Sequence, residues 1–329
     1  MEEYINEYEP ELFIGNMQWD NFSSDMQILF FKLSGVKVIM QFHEALELHA
    51  RRYTALKIYR LADALIVLSR EFEKFWKNFG VRSYYIQNPI FTGKTKNFHG
   101  RNSKENFKII LWVGNVTAHK NPFAALQILN EIVKKIPDVK LRILGNIGEQ
   151  ELINQMKSFI SANNLTENVE FCGYHENVED FYKSADVMLA TSPLEGFGLA
   201  IAEGKFYELP LVLYKLERNE LLRDGKGYIA VEQKDFNGAA QAIVNILTDT
   251  NLRCKLSAEA RESIQPFLDY DITGAWQRVF EDLENNSSIP SHDLLAESVQ
   301  EFFVHELWQK NIQINNLIQY IKNLEGKFK

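Results

Sequence analysis

Short apolar segments rich in β-branched residues alternate with longer helical patterns along most of this chain, and that alternation restricts its fold more than any other feature. In the first part, four segments have the character of buried strands: residues 12–15, 36–42, 64–69 and 83–87. The helical patterns that separate them lie near 23–33, 44–60 and 70–78. Strands that alternate with helices predict βαβ units with parallel sheets, and therefore an α/β fold.

A second series of the same kind begins at residue 107. Its apolar strands are 107–114, 139–145, 168–173, 186–190 and 209–214. Its helical patterns lie near 121–136, 148–162, 177–183, 198–206, 235–248, 250–264 and 271–283. Two consecutive series of βαβ units predict two Rossmann-like domains, with a ligand cleft between them at the carboxyl ends of the strands.

The domain boundaries follow from where these patterns stop. Residues 92–106 are rich in Gly, Lys, Asn and Ser and lack apolar periodicity, so they predict an interdomain linker. The other predicted segments are a partial domain over 1–91, a full domain over 107–265, a closing helix over 266–285 and a helical tail over 286–329. Because the first domain offers so few strands, we expect it to be truncated, in a piece of a longer chain with further domains, or else reduced.

Composition excludes several classes of protein. The 329 residues carry a formal net charge of −8, which argues against a general nucleic-acid binder, since that function needs a concentrated positive field. The acidic start MEEYINEYEPELF lacks the apolar core of a secretory signal, and no apolar run approaches the ~20 residues of a spanning helix. We therefore expect a cytoplasmic protein with at most peripheral membrane contact. Cys172 and Cys254 are expected to be buried, reduced thiols.

The segment TSPLEGFGLAIAEG, residues 191–204, is the strongest local signal of a binding site. It follows an apolar strand and opens a helix, so backbone N–H groups near Gly196 and Gly198 can point at an anion, which the helix dipole also attracts. Glu203, eight residues after Glu195, can accept hydrogen bonds from vicinal ribose hydroxyls. The alternative is a tight strand-to-helix turn followed by an ordinary acidic first turn.

Lys120, in the segment WVGNVTAHKNP (112–122), is the second signal. A strand ends at Gly114, and Asn121-Pro122 begins a helix, since proline is favoured at the first helical position. The helix dipole disfavours a cation at this point unless an anion is close, and a diphosphate would supply that anion. Alone, such a lysine is usually just solvated; beside the Gly-rich turn of a neighbouring strand, it indicates an anion site.

The two motifs together resemble the donor-binding half of the family 4 retaining glycosyltransferases. The family's Glu-x7-Glu motif is matched by Glu195 and Glu203 with the intervening Gly-Phe-Gly, and its first-loop lysine is matched by Lys120. The stretches before and after that motif are matched by residues 172–192 and 223–231.

The resemblance extends upstream, where residues 38–44, 60–69 and 84–90 follow the second half of the family's acceptor domain in order and spacing. It implies the GT-B fold, which has two Rossmann-like domains, here with an incomplete first domain and a C-terminal helical tail. It also places His43 near the transferred sugar. By chemistry alone, a His followed by Glu at a strand end is equally compatible with a site residue and with a buried neutral imidazole.

What the resemblance implies about function is transfer of a hexose from a UDP- or GDP-sugar, with retention at the anomeric carbon and without a metal or other cofactor. The catalytic residues are then His43, Lys120 and Glu195. The residues implied to bind the donor are Gly114, Asn115, Lys120, Tyr174, His175, Gly196, Phe197, Gly198, Leu199 and Glu203. The partners are the nucleotide-sugar donor and a glycan, lipid-linked or protein acceptor in polysaccharide, lipopolysaccharide or glycoprotein assembly.

One departure from the family pattern supports an alternative. Asn115 stands where the family has an arginine beside the first-loop glycine, which removes one guanidinium from the diphosphate site. A catalytically weak or inactive scaffold subunit is therefore the main rival hypothesis. An epimerase or a phosphorylase on the same fold would need further catalytic acids or a cofactor lysine, which the motifs do not supply. The Asp-Tyr-Asp at 269–271 mimics a metal motif, but Asp271 is better explained as a helix cap, so no metal site is predicted.

Overall fold

The computed structural model describes residues 5, 7–17, 22–43, 58–90 and 107–285, and these fall into two compact units. The first unit is Met1–Ile86 together with Thr273–Lys329, and the second is Gln87–Ile272. Each is an α/β layer structure around a parallel sheet. Within the described ranges, no helix is long and apolar enough to cross a membrane.

The first unit contains a four-stranded sheet in the order β1-β2-β3-β4, with every neighbouring pair parallel. The strands are β1 Leu12–Met17, β2 Lys37–Phe42, β3 Ala64–Val67 and β4 Ser83–Tyr85. The helices among its described residues are α1 Phe22–Leu33, α2 Arg70–Asn78 and α9 Ile272–Asn285. Phe42, Phe72 and Trp76 pack together in its core, with ring centroids 5.7 to 5.9 Å apart.

The second unit contains a six-stranded parallel sheet in the order β10-β9-β8-β5-β6-β7. Its strands are β5 Lys108–Val113, β6 Val139–Leu144, β7 Val169–Gly173, β8 Val187–Ala190, β9 Leu211–Tyr214 and β10 Tyr228–Val231. Its helices are α3 Pro122–Val133, α4 Gln150–Ala162, α5 Glu179–Ser184, α6 Leu199–Phe206, α7 Phe236–Thr248 and α8 Thr250–Leu268. Two short 3-10 helices lie at Thr166–Asn168 and Glu220–Leu222.

The apolar runs form the central strands because both faces of a parallel sheet are covered. Four consecutive residues of β5, from Ile109 to Trp112, are at most 2% exposed. Such a strand shows continuous rather than alternating hydrophobicity. The periodic helices α3 and α7 bury one face each against this sheet, with Leu126, Leu129 and Ile243 almost fully covered.

The strands predicted from the apolar runs are present, whereas the edge strand β10 was not predicted. It lies within a segment, 223–231, that the sequence marks only as Gly-rich. The predicted linker 92–106, the tail 286–329 and most of the predicted helix at 44–60 lie outside the described residues.

The predicted boundary between residues 265 and 266 is wrong. Helix α8 continues past Pro266 to Leu268, and the N–H of Asp269 donates to the carbonyl of Gln265 at 3.0 Å. A proline removes one helical hydrogen bond but does not prevent a last turn. The closing helix α9 begins at Ile272, and it groups with the first unit, where the Leu283 carbonyl accepts from Lys37 Nζ at 3.1 Å.

Two smaller expectations also need correction. Residues 87–90 group with the second unit, so the first unit ends before the predicted residue 91. Both cysteines are free, but Cys254 is exposed and Cys172 only half-buried, so the prediction of two buried thiols is wrong. Their helix and strand have partly open faces that local hydrophobicity does not reveal.

Candidate functional site

Strands β5 and β8 are neighbours at the centre of the second sheet, and the chain order reverses between them. Strand β6 follows β5 on one side, and β9 follows β8 on the other. Loops at the carboxyl ends of two such strands diverge to opposite faces of the sheet and leave a crevice, which is where open α/β sheets bind ligands. The two predicted motifs are the loops that leave β5 and β8.

The Gly-rich turn connects β8 to α6 as predicted. Gly198, just before the helix, has a left-handed backbone with φ 86°, which glycine adopts without strain. A Cβ at this position would lie 3.1 Å from Ile201 Cδ1. Because α6 begins at Leu199, its first N–H groups have no helical acceptor and are available to an anion.

Lys120 and Glu195, predicted separately in two loops, meet across this crevice. Lys120 Nζ lies 2.6 Å from Glu195 Oε1, and their side chains are 30% and 14% exposed. The pair is only partly solvated, so its interaction is stronger than that of a surface ion pair. The anion that the sequence required near Lys120 is, in this structure, the carboxylate of Glu195.

Thr191, fully buried at the end of β8, holds the backbone that carries Lys120. Its Oγ1 donates to the carbonyl of Asn121, at 2.8 Å, and accepts from Trp112 Nε1 at 2.9 Å. Asn121 has a left-handed backbone with φ 52°, a conformation that asparagine tolerates better than most residues, and this bond holds the turn in place. The only sequence signal for Thr191 is a hydroxyl at the end of an apolar strand.

Asn219 anchors the Gly-rich turn from the other side. Its Nδ2 donates to the carbonyl of Phe197 at 2.9 Å, and its Oδ1 accepts from the N–H of Leu221 at 3.1 Å. The side chain is 3% exposed and caps the 3-10 helix Glu220–Leu222. Sequence reasoning missed Asn219 because it lies outside both motifs.

Glu203 lies in the middle of α6, one turn after the helix begins, as predicted. Tyr182 on α5 donates its hydroxyl to Glu203 Oε2 at 2.5 Å. Burial raises the pKa of Glu203 above its ordinary value, and the bond from Tyr182 partly offsets that effect. Burial, together with the neighbouring Glu203 carboxylate, also raises the pKa of Tyr182, so this phenol stays a hydrogen donor.

Three glycines, Gly114, Gly145 and Gly173, lie at the carboxyl ends of the adjacent strands β5, β6 and β7, where their backbones are in direct contact. The N–H of Gly114 donates to the Leu144 carbonyl, and the N–H of Gly145 donates to the Gly173 carbonyl, both at 2.9 Å. A Cβ on Gly145 would lie 2.0 Å from the carbonyl oxygen of Gly114. Gly114 was predicted as a site residue; Gly145, which supports its position, was not.

Tyr174 and His175 lie at the carboxyl end of β7, where the sequence placed them. Tyr174 is 65% exposed. His175 Nε2 lies 2.9 Å from the carbonyl oxygen of Cys172, and its ring centroid is 4.8 Å from that of Phe181. Within the described residues, neither forms a hydrogen bond with Lys120, Glu195 or Glu203. Strand β6 separates β7 from β5, so these two residues stand at the margin of the site.

His43 belongs to the first unit, at the carboxyl end of β2, and is exposed. Its Nε2 lies 3.2 Å from Asn16 Oδ1 and 3.2 Å from Gln41 Oε1. The alternative of a buried imidazole is therefore wrong. Asn115, which replaces the family's arginine, is also exposed, at the start of the loop that leads to Lys120.

Chemically, the second unit presents one ammonium, one carboxylate and the free N–H groups of a helix at a single crevice. Such a set can hold an anion that carries hydroxyl groups beside it. Across the described part of the chain, no three His, Cys, Asp or Glu side chains are grouped so that they could hold a metal ion.

A buried lysine lies two residues beyond Glu203. Lys205 is 0% exposed, and its Nζ donates to the Leu221 carbonyl at 2.5 Å and to Ser263 Oγ at 2.6 Å. Burial lowers the pKa of Lys205 to about 8, against a weaker opposite effect of Asp224. Lys205 therefore ties α6 to the 3-10 helix whose cap holds the Gly-rich turn.

This lysine makes stability depend on pH. Between pH 8 and its ordinary pKa of 10.5, the folded state binds fewer protons at Lys205 than the unfolded state, so stability rises with pH across that window. The full effect is about 3 kcal/mol. In thermal unfolding from pH 7.5 to 10, wild type should gain stability relative to Lys205→Met. Lys215→Met, at a 56% exposed lysine, is the control. A pH-independent difference between wild type and Lys205→Met would contradict the prediction.

Comparison with known protein families gives one family match. The model of the family described as Glycosyl transferases group 1 matches residues 93–263, more than half of the chain.

A poly(glycerol-phosphate) alpha-glucosyltransferase of Bacillus subtilis (strain 168) is 30% identical over 158 residues, 47% of this chain and 23% of that protein. A Campylobacter jejuni alpha-1,4-N-acetyl-D-galactosaminyltransferase, named for a diphosphoundecaprenol-linked glycan, is 25% identical over 231 residues, 69% of this chain and 62% of that protein. The chain thus spans less than two thirds of either relative.

Solved structures resemble the fold at low sequence identity. Anabaena HepE in complex with UDP and glucose has a TM-score of 0.67 and 16% identity, over 87% of this chain and 80% of that one. S. aureus TarM, in complex with Fondaparinux, alpha-GlcNAc-glycerol and UDP, has a TM-score of 0.67 and 19% identity, over 84% of this chain and 57% of that one. The fold of the two parallel-sheet units is GT-B.

Proposed function

The chain belongs to the Glycosyl transferases group 1 family, and we propose that it transfers a hexose from a nucleotide-diphosphate sugar, with retention of anomeric configuration and without a metal. The acceptor is a glycan, a lipid-linked glycan or a protein. The chain works in the cytoplasm, at most peripherally at the inner face of the membrane. The observation that carries the proposal is the meeting of Lys120 and Glu195 beside the free N–H groups of α6, at the switch point of a GT-B donor sheet.

Charge on the departing diphosphate is the chemical problem that this arrangement addresses. Lys120 and the N–H groups of residues 197–199 together supply positive charge where negative charge would grow. Preorganised donors in a partly dry crevice stabilise such charge effectively. Because ammonium and helix dipole supply this stabilisation, the leaving group needs no divalent cation. This is the physical support for a metal-independent reaction.

The remaining residues of the site each contact a different part of the donor in this proposal. Glu203 accepts hydrogen bonds from the ribose hydroxyls, and Glu195 faces the hydroxyls of the donor sugar. Tyr174 and His175 lie beside the proposed binding position of the nucleotide base. For His43, which belongs to the first unit, the proposed role at the transferred sugar rests on the family resemblance.

Retention is supported by the relatives' names. Both the Bacillus and the Campylobacter proteins are named as alpha-transferases. Hexoses in the common UDP-sugars are alpha-linked, so an alpha product means that the configuration is kept. Their acceptors, a glycerol-phosphate polymer and an undecaprenol-linked glycan, support a polymer or lipid-linked acceptor for this chain.

A scaffold subunit without catalysis is the second candidate, and Asn115 is the observation that favours it. An amide in place of a guanidinium removes a bidentate, permanently charged contact from the diphosphate site. That hypothesis predicts that Lys120 and Glu203 can be replaced without loss of function.

Thermal unfolding with UDP, GDP, ADP and their sugar conjugates, each at millimolar concentration, tests the donor site. We expect one nucleotide to raise the midpoint, since a ligand at 100 times its dissociation constant adds about 2.7 kcal/mol to stability. The shift should vanish in Lys120→Ala and Glu203→Ala and persist in Lys134→Ala, at an exposed lysine beyond the far end of α3. No shift with any nucleotide would refute the donor site and favour the scaffold.

A further inference from the structure

We infer that Tyr182 is a positioning residue for ribose recognition: its buried hydroxyl orients the Glu203 carboxylate so that the free oxygen meets the hydroxyls of the donor's ribose. The inference rests on the proposed donor site and assigns a role to a residue outside both sequence motifs. The carrying observation is the 2.5 Å hydrogen bond from the Tyr182 hydroxyl to Glu203 Oε2.

Tyr182 is itself held rigidly. Its side chain is 0% exposed, and its ring stacks on that of Tyr207 with centroids 5.1 Å apart and planes 13° apart. Tyr182 lies on helix α5, which comes directly before strand β8 in the chain. Because the ring is fully buried and stacked on Tyr207, it has little freedom to turn away, so the packing of the second unit sets the direction of its O–H bond.

Glu203 needs such an anchor because of its position. It lies in the middle of α6, half-buried, and a glutamate side chain has several rotamers available to it. Of its two oxygens, Oε2 is taken by Tyr182, and no donor among the described residues reaches Oε1. Only one of the two carboxylate oxygens therefore has a hydrogen-bond donor among the described residues, although the group is partly buried. The other oxygen is available to a hydroxyl of the ligand.

The energetic consequence is preorganisation. A carboxylate that is already oriented does not lose rotamer freedom when the ribose binds, so more of the hydrogen-bond energy contributes to affinity. Without the Tyr182 hydroxyl, Glu203 still carries its charge but must be ordered by the ligand. Removal of the Tyr182 hydroxyl should therefore weaken binding of the ribose hydroxyls. Binding of the diphosphate, which depends on Lys120, should not change.

The test measures affinity for UDP, GDP and ADP, each beside its 2′-deoxy counterpart, by calorimetry on the full chain. For the nucleotide that binds, wild type should prefer the ribose form by about tenfold, and Tyr182→Phe should remove most of that preference. Tyr207→Phe is the matched control, since it removes a hydroxyl from the stacked ring and leaves the Tyr182–Glu203 bond in place.

A second variant covers the case in which Tyr182→Phe does not fold. Glu203→Asp keeps the charge but is one methylene shorter, so its carboxylate cannot reach both Tyr182 and the ribose; it too should lose the preference. Either variant with the wild-type preference intact would overturn the inference, as would a wild type that binds both forms equally well. If wild type binds no nucleotide, the proposed function itself fails, and the inference falls with it.

Discussion

Lys120→Ala is expected to slow cleavage of the donor by about 10²–10³-fold, the usual cost of removing one group that stabilises developing charge. The ammonium lies at the β5–β8 switch point, 2.6 Å from Glu195, which is in the loop that leads into α6. A departing diphosphate gains negative charge there, and alanine leaves only the helix N–H groups to balance it. Release of the nucleoside diphosphate, with EDTA present and the product's anomeric configuration read by NMR, measures the effect.

The controls separate catalysis from simple neutralisation of a carboxylate. Lys134→Ala removes an exposed lysine paired with Glu131 and should leave the rate unchanged. Glu195→Gln keeps a hydrogen-bond acceptor for Lys120 and removes the competing anion. If Lys120 served only to neutralise Glu195, the double variant Lys120→Ala/Glu195→Gln would recover the wild-type rate, and that result would refute the proposed role. An inverted product, or a rate abolished by EDTA, would refute retention or metal independence.

Gly145→Ala should destabilise the second unit by about 4 kcal/mol, from overpacking together with backbone strain. The new Cβ would lie 2.0 Å from the Gly114 carbonyl oxygen, and the backbone has φ 146°. Since a backbone oxygen cannot rotate away as a flexible side chain could, the β5 loop must shift. We expect the unfolding midpoint to fall by roughly 8–16 °C and nucleotide binding to weaken, because that loop leads to Lys120.

Gly173→Ala is the matched control for this prediction. Gly173 also has a positive φ, of 72°, but no atom lies within 4 Å of the position its Cβ would take. Only conformational strain of about 1 kcal/mol is expected, a fall of roughly 2–4 °C. Equal losses in the two variants would mean that strain alone matters and that the contact between Gly145 and Gly114 does not.

Much of the fold could be predicted because it depends on patterns that are local in the chain. The apolar run over 107–114 is strand β5, and the Asn121-Pro122 signal begins helix α3. The Gly-rich segment after β8 forms the expected turn into α6, with Glu203 on that helix. Periodicity, caps and glycines report on neighbours a few residues away, and these are visible in one dimension.

The edges of these elements were less predictable. Helix α8 continues past Pro266, strand β10 forms where no strand was predicted, and α9 groups with the first unit. In each case tertiary packing outweighs the local signal. A strand of modest hydrophobicity at a sheet edge is stabilised by its pairing with β9, which no local pattern contains.

The α/β class, the two motifs and the residue types that an anion site needs could be inferred from the sequence, because each depends on spacing along the chain. How those residues are held could be seen only in the folded chain. In the fold, Lys120 forms an ion pair with Glu195, 75 positions further along the chain. Tyr182 donates a hydrogen bond to Glu203, and Asn219 donates one to the Phe197 carbonyl. The backbone of Gly145 lies against that of Gly114. Such contacts depend on the order of strands in the sheet and on which side chains the core buries, and both are set by the whole chain at once.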